Sequence, residues 1–312
     1  MIELYPWGSA QIIGMFAFSA VMLASFILIE NRCREPLIPF VIFKNPIVVI
    51  SEAVTLFIGF GMFGCIIFVP LFFQGVLGLS ATASGKFLTP MMLGVVSGSL
   101  LSGQLLSRVG GHYKIQGIAG LSTMALGILL LSRMNIETTY ANAVVNIIIT
   151  GFGLGMTMPL YVIAVQNTIP YNMLGIATAL TTFFRSLGGS LGLAVLGAIM
   201  HNRFASDLAH GLPASIKAVV PVEQITAMVN NLQALVSPEG QNRLKTMMSY
   251  LDPQGQQHLY ERFFQWLRQS LAASLSSAFS FALLVLVAAF CFNLFIREVP
   301  LRRQHMPADK GQ

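Results

Sequence analysis

Seven apolar runs, each long enough to cross a lipid bilayer, constrain this chain more than any other feature of its sequence. A membrane-spanning helix needs roughly 20 mostly apolar residues, and in lipid its backbone polar groups must be satisfied within the structure itself. The chain is therefore predicted to be an all-α, polytopic membrane protein with seven transmembrane helices. The runs lie at about 9–29, 47–74, 82–107, 115–132, 142–165, 174–201 and 271–296.

The composition excludes a soluble protein of this length. Charged residues make up 10% of the 312 and apolar types 55%, whereas a soluble domain has about 25% charged residues. The net charge of +6 does not predict nucleic-acid binding, because the basic residues lie mostly between the apolar runs and report membrane topology. The histidines show no metal-ligand spacing, and no phosphate loop or nucleophile elbow is present. Neither an enzyme nor a resident cofactor is expected.

The basic residues predict the orientation of the chain. With seven spans the termini lie on opposite sides of the membrane, and the side richer in Lys and Arg is the cytoplasm. The opposite short loops hold only Arg133. The C-terminus is thus predicted to be cytoplasmic and Met1 outside. Nine basic residues fall on the cytoplasmic side: Arg32, Arg34, Lys44, Arg108, Lys114, Arg297, Arg302, Arg303 and Lys310.

A long polar segment at 203–270 interrupts the series of spans. It contains four prolines, and between them 222–236 and 254–268 have the apolar spacing of amphipathic helices. The second of these is expected to lie partly in the membrane interface before the last span begins. A solvated outer cap is the favoured interpretation of the whole segment, and a lid that contacts substrate is the alternative.

The most specific short motif joins the third and fourth runs. It reads GQLLSRVGGHYK from Gly103 to Lys114. Gly110 permits a tight turn, Arg108 and Lys114 flank it as cytoplasmic anchors, and Gly103 is expected to let a neighbouring helix approach. The motif resembles the loop motif G-x-L-x-D-R-x-G-R-K of the major facilitator superfamily, although Ser107 replaces the acidic residue and two of the basic residues are absent.

Four further segments resemble the fourteen-helix drug:proton antiporters of that superfamily, the EmrB/QacA type. PLFFQGVLGLS at 70–80 resembles their extracellular hairpin. Gln166-Asn167, which precedes Pro170, resembles one of their cytoplasmic connections. FRSLGGSLGLA at 184–194 is similar to their penultimate helix, and REVPLR at 297–302 to their exit into the cytoplasm. Their order and sidedness identify the chain with this family along nearly its whole length.

The resemblance implies a division of the chain. Residues 1–46 are a leading helix and cytoplasmic linker, and 47–202 the first five helices of the C-terminal six-helix bundle. Residues 203–270 are the extracellular or periplasmic loop, and 271–312 the last helix and cytoplasmic tail. Seven N-terminal helices of the family pattern would then be missing. The partners implied are the lipid bilayer, a small lipophilic substrate, and an N-terminal half-transporter or second bundle; the location implied is the bacterial plasma (inner) membrane.

Arg185 is the leading candidate for a transport role, because a charged side chain within a span is costly and functional by default. Thr178, Thr181 and Thr182 precede it, and the glycines after it let another helix approach. It is interpreted either as a cavity-facing cation, paired with a carboxylate or a substrate anion, or as a structural Arg bonded to backbone carbonyls.

Glu52 is the candidate acidic group, near the cytoplasmic end of the second span. A carboxylate at this depth can exchange a proton as access alternates; the favoured interpretation, however, is an interfacial Glu held by Lys44 or Arg34. Lys86, near the outer end of the third span, is expected to reach outwards to the interface.

The fifth span has a polar stripe on one helical face. Its residues recur at steps of three and four. They are predicted either to line a cavity or, as the more favoured alternative, to form hydrogen bonds between helices. The stripe comprises Asn142, Asn146, Thr150, Gly153, Thr157 and Tyr161.

The function implied by the resemblance is proton-coupled efflux of drugs or other lipophilic small molecules, with the proton gradient as the energy source. Transport by rocking needs two bundles that face one cavity, so the chain is expected to be a half or a fragment of a transporter. The alternative is a membrane partner or scaffold that does not transport and acts through the loop at 203–270.

Overall fold

The computed structural model describes residues 9–32, 39–109, 112–211, 246 and 256–299. Within these residues the secondary structure is helical, and short 3₁₀ turns occur at Phe40–Lys44 and Tyr171–Met173. The helices are α1 (Ala10–Glu30), α2 (Pro46–Gly75), α3 (Ala81–Gly85), α4 (Leu88–Val109), α5 (Tyr113–Ser132), α6 (Tyr140–Gln166), α7 (Leu174–Gly211) and α8 (Gln256–Leu294).

Seven stretches in this part of the chain are long and apolar enough to cross a membrane. They coincide with the seven predicted runs, which confirms the all-α, seven-span architecture. The third span is divided, because α3 ends at Gly85 and α4 begins at Leu88. Lys86 lies at this break and is exposed.

Local sequence signals start several of the helices. The side chain of Asn45 caps α2 by accepting from the N–H of Ile47 at 2.9 Å, and Pro46 follows as the first helical residue. Thr139 caps α6 in the same way. Such side chains satisfy backbone N–H groups that the first turn of a helix leaves without partners.

Close helix contacts at glycines build the bundle. Gly94 and Gly98 of α4 lie against the α6 backbone, where an added Cβ would come within 2.5 Å and 2.2 Å of a carbonyl oxygen. Gly151 and Gly155 of α6 approach the α4 backbone in return. Small residues four apart are a common means of close packing between membrane helices. In the same way α2 packs against α7, while α8 packs on α2, α5 and α7.

Helix α1 is exposed over most of its length. Glu30 is its one buried residue, whereas more than half of the residues of α2 are buried. The apolar side chains of α1, such as Phe16 and Phe18, are more than half exposed. The described residues therefore show six packed spans and one helix that is mostly exposed.

The last two spans are longer than predicted. Helix α7 has 38 residues and α8 has 39, so each is about 57 Å long at 1.5 Å per residue, against about 30 Å of hydrocarbon. Both extend into the predicted loop at 203–270; of residues 212–255, only Thr246 is described.

The amphipathic segment at 254–268 is helical in its described part, and its expected position partly in the membrane interface stays a prediction. Residues from Gln256 onwards are continuous with the last span. Phe263 and Leu267 are 1% and 5% exposed and belong to the main apolar core. The same core includes Phe204, which lies on the part of α7 beyond the predicted span.

Candidate functional site

The structure places Glu52 in a seam between α2 and α7. Its side chain is 2% exposed, and Oε1 accepts a hydrogen bond from the hydroxyl of Thr181 at 2.9 Å. The favoured prediction, a Glu held by Lys44 or Arg34, is not what the described residues show. Lys44 is exposed and forms no ion pair with Glu52 in this part of the chain, and Arg34 lies outside the described residues.

Glycines fix the width of this seam. A Cβ on Gly188 would lie 1.9 Å from the carbonyl oxygen of Leu56, and one on Gly59 would lie 2.1 Å from that of Arg185. Gly189 and Gly192 also lie against α2. The prediction that the glycines after Arg185 admit a neighbouring helix is thus confirmed, and the neighbour is α2.

Arg185 lies at the edge of the seam and is partly buried. Arg185 and Glu52 form no ion pair within the described residues. The buried Nε of Arg185 has no hydrogen-bond acceptor there. Within the described residues Arg185 therefore forms neither the ion pair of one interpretation nor the bonds to backbone carbonyls of the other.

A shallow, wide-open depression, called the groove below, lies on the neighbouring face of α7 and is lined by residues of that one helix. The hydroxyls of Thr178 and Thr182 point along this exposed face and donate to carbonyls four residues earlier in their own helix. Phe183 supplies an aromatic ring that is 52% exposed. The lining residues are Gly175, Thr178, Ala179, Thr182, Phe183 and Ser186.

Arg185 separates the seam from the groove. Successive residues of a helix are rotated by roughly 100°, which places Arg185 between the direction of Thr181 and that of Thr178. Thr181 is fully buried, whereas Thr178 and Thr182 are exposed. The three threonines that precede Arg185 therefore do not share one side, and only Thr178 and Thr182 line the groove.

The polar stripe of α6 forms contacts between helices and does not line this groove. Asn146 donates to the carbonyl of Leu130 in α5 at 3.4 Å. Thr157 is buried, donates to Leu154 in its own helix, and packs near Gly120 of α5. Of the two alternatives for the stripe, the structure supports hydrogen bonding and packing between helices; Asn142, at its outer end, is exposed.

Tyr161, the last residue of that stripe, belongs to a buried network with Asn293 of α8. The Tyr161 hydroxyl donates to Asn293 Oδ1 at 2.9 Å, and Asn293 Nδ2 donates to the carbonyl of Lys114 at 3.2 Å. Asn293 is fully buried. Asn293 was not among the residues predicted from the sequence, although an isolated Asn in an apolar span is a signal for such a contact.

The loop motif is described only in part. Gly103 and Arg108 lie near the end of α4, and Lys114 is the second residue of α5, whereas Gly110 is outside the described residues. The expectation that Gly103 admits a close neighbour is wrong for the described part of the chain, since no atom there lies within 4 Å of an added Cβ. Among the residues described, no cluster of His, Cys, Asp and Glu could hold a metal ion.

Comparison with known proteins relates this architecture to transporters. Residues 4–193 match the family model of the Major Facilitator Superfamily. The multidrug transporter protein MdtP of Bacillus subtilis is 33% identical over 301 residues, covering 95% of this chain and 54% of MdtP. An uncharacterized MFS-type transporter of Mycobacterium tuberculosis is 32% identical over 98% of this chain and 40% of its own length.

A third relative is a tetracycline resistance determinant of Streptomyces rimosus. It is 32% identical over 197 residues, which is 63% of this chain and 56% of that protein. The chain thus spans about half the length of the curated relatives it matches.

Proposed function

Because this chain belongs to the major facilitator superfamily, we propose that it is the C-terminal part of a fourteen-helix exporter that exchanges lipophilic small molecules for protons. The observation that carries this proposal is the position of the groove on α7. It lies beside a seam that holds a buried carboxylate, Glu52, and has a partly buried cation, Arg185, at its edge. Two relatives with names that refer to multidrug transport and tetracycline resistance support the same class of substrate.

A second bundle is part of this proposal. Rocking transport needs two bundles around a central site, and the chain spans 54% of MdtP. In this account α1 is the eighth helix of the transporter, and α2 to α8 form its C-terminal bundle. The exposed groove on α7 then faces the N-terminal bundle across the substrate pathway.

The charge of the seam gives a mechanism for exchange. When Glu52 is ionised, its charge balances that of Arg185, and a lipophilic cation can occupy the neighbouring groove. When Glu52 takes up a proton, the charge of Arg185 is uncompensated and repels that cation. Proton and substrate therefore exclude each other, which is the requirement for antiport. Thr182 is assigned to the groove, while Asn146, Thr157 and Tyr161 stabilise the surrounding helices.

The distribution of basic residues supports an orientation with the C-terminus in the cytoplasm and the N-terminus outside, and bacterial relatives such as MdtP support a location in the bacterial inner membrane. A reporter protein that functions only in the cytoplasm should be active when fused after residue 312 and inactive when fused before residue 1. The reverse result would contradict this orientation. The alternative of a non-transporting scaffold is not favoured, because the matched relatives bear transporter names.

An efflux assay tests the proposed function. The N-terminal bundle of MdtP is placed ahead of this chain, and export of the lipophilic cation ethidium is measured in cells that lack their own exporters. Full-length MdtP is the positive control, and this chain alone is the comparison. We expect energy-dependent export from the two-bundle protein and none from the chain alone. No export by the two-bundle protein, at a membrane level equal to that of MdtP, would contradict the proposal.

A further inference from the structure

The hydroxyl of Thr181 lies between two hydrogen-bond acceptors. It is 2.9 Å from Oε1 of Glu52 and 3.0 Å from the carbonyl oxygen of Ala177. A threonine hydroxyl has one hydrogen to donate and lone pairs with which to accept. It can therefore donate to only one of these two oxygens at a time. Both contacts can be hydrogen bonds together only when Glu52 is protonated and donates to Thr181, which then donates to Ala177.

In both protonation states Glu52 can keep a hydrogen bond to Thr181 through Oε1, while its Oε2 is buried without a partner among the described residues. With Glu52 ionised, the Thr181 hydroxyl donates to Oε1 of the carboxylate. With Glu52 protonated, the acid O–H donates to Thr181 Oγ1, and the Thr181 hydroxyl turns to donate to Ala177. One proton is added to the carboxylate, no other bond is made or broken, and only a hydroxyl rotates.

The surroundings leave little else that can move. Glu52 is 2% exposed, and Thr181 and Ala177 are fully buried. Close backbone contacts at Gly59 and Gly188 bring the two helices together about 10 Å further along each of them. Among the described residues, Arg185 is the charged group that acts on Glu52. A buried polar group without a partner is costly, so a hydroxyl that serves both states lowers the cost of proton exchange here.

Other threonines show what is unusual about Thr181. The hydroxyls of Thr123 in α5 and Thr182 in α7 donate to a carbonyl four residues earlier in their own helices. Thr181 makes that contact as well, but only it also meets the carboxylate in the neighbouring helix. We propose that Thr181 is the positioning residue for proton exchange at Glu52, because its hydroxyl switches from donor to acceptor when the carboxylate takes up the proton. This inference rests on the proposed function, in which Glu52 exchanges the proton.

Infrared spectroscopy of the purified full chain, titrated with acid, tests the inference without a transport assay. The Glu52 signal is the carboxylic-acid carbonyl band that Glu52→Gln removes. In the wild type and in Thr181→Ser this band should have the lower frequency of a hydrogen-bonded acid. In Thr181→Val, which keeps the shape and lacks the hydroxyl, it should move to the higher frequency of an unbonded acid. Thr181→Ala, which also lacks the hydroxyl, is measured as a second variant in case Thr181→Val does not fold.

Thr123→Val is the matched control, since it removes a hydroxyl that bonds only within its own helix. It should leave the Glu52 band unchanged. An unshifted band in both Thr181→Val and Thr181→Ala would overturn the inference, as would the absence of any Glu52 acid band across the titration.

Transport supplies the second readout. In the two-bundle protein, Thr181→Val should lower proton-driven export about tenfold or more, because a hydrogen bond to a charged group is lost, and Thr181→Ser should restore it. Equal export by the valine and serine variants would overturn the positioning role. If the wild-type two-bundle protein exports nothing, the proposed function fails, and the infrared result still decides the role of Thr181.

Discussion

The hydroxyl of Tyr161 donates a hydrogen bond to Oδ1 of Asn293 at 2.9 Å, although the two residues are 132 positions apart. Through the other end of its amide, Asn293 reaches the carbonyl of Lys114. A Cβ on Gly117 would lie 2.5 Å from Asn293 Oδ1, so only a glycine leaves room for this amide. One buried side chain thereby joins α5, α6 and α8 at the end of the bundle that contains the loop motif.

Removal of the Tyr161 hydroxyl should destabilise the bundle. Tyr161→Phe leaves Oδ1 of Asn293 buried without its donor, which should cost about 0.5–2 kcal/mol of stability. Thermal unfolding in detergent should show a lower midpoint. Tyr140→Phe is the matched control, because Tyr140 is 57% exposed and its ring contacts with Phe87 do not need the hydroxyl. Equal midpoints for the two variants would contradict this account.

Substitution of alanine for two glycines of α7 should change the stability of the protein in opposite directions. Gly188→Ala forces a methyl group against the carbonyl of Leu56, and such overpacking typically costs about 1–3 kcal/mol. Among the described residues, no atom outside the neighbouring backbone of its own helix lies within 4 Å of a Cβ added to Gly197, so Gly197→Ala should stabilise the helix by about 0.5–1 kcal/mol. We expect the thermal unfolding midpoint of Gly188→Ala to lie below that of the wild type and the midpoint of Gly197→Ala to lie above it. A midpoint of Gly188→Ala at or above that of the wild type would contradict the close seam.

The sequence predicts the spans well, because a bilayer imposes a length and an apolar composition that can be read along the chain. It also identifies Arg185 and the glycines of the α2–α7 contact. It does not distinguish Thr181 from Thr182. The two are adjacent on one helix, and which of them meets Glu52 depends on the face that α7 turns towards α2, which requires the tertiary packing.

The ends of the last two spans show a second limit of prediction from the sequence. Polar residues outside the membrane can continue a helix without a break, so hydropathy gives the edge of the hydrocarbon and not the end of α7 or the start of α8. The partner of Tyr161 was missed for a related reason. Its stripe on α6 could be recognised from spacing, but the position of Asn293 beside it depends on how α8 crosses the bundle.

The groove on α7 should be accessible to water and to substrate in the two-bundle protein. With Cys33, Cys65 and Cys291 replaced by serine, Thr182→Cys should react with a water-soluble maleimide, and ethidium should slow the reaction. Leu180→Cys is the control, because Leu180 is 2% exposed, and it should react little. Labelling of both positions at equal rates, or no protection by ethidium, would contradict the assignment of the groove to the substrate pathway.

Substitution of Arg185 should separate export from its driving force. In Arg185→Gln, protonation of Glu52 no longer leaves an uncompensated positive charge, so the substrate is not expelled. Uphill export should fall at least tenfold, while downhill equilibration of ethidium continues. Arg185→Lys keeps the charge and should retain more of the uphill export. If glutamine and lysine have the same effect, charge is not what Arg185 contributes.

The central claim is that Glu52 couples transport to the proton gradient, and transport in proteoliposomes tests it most directly. An imposed pH gradient should drive uphill movement of ethidium by the wild-type two-bundle protein. Glu52→Gln should abolish the response to the gradient and retain downhill movement of ethidium. A Glu52→Gln protein that follows the pH gradient as the wild type does would contradict the account.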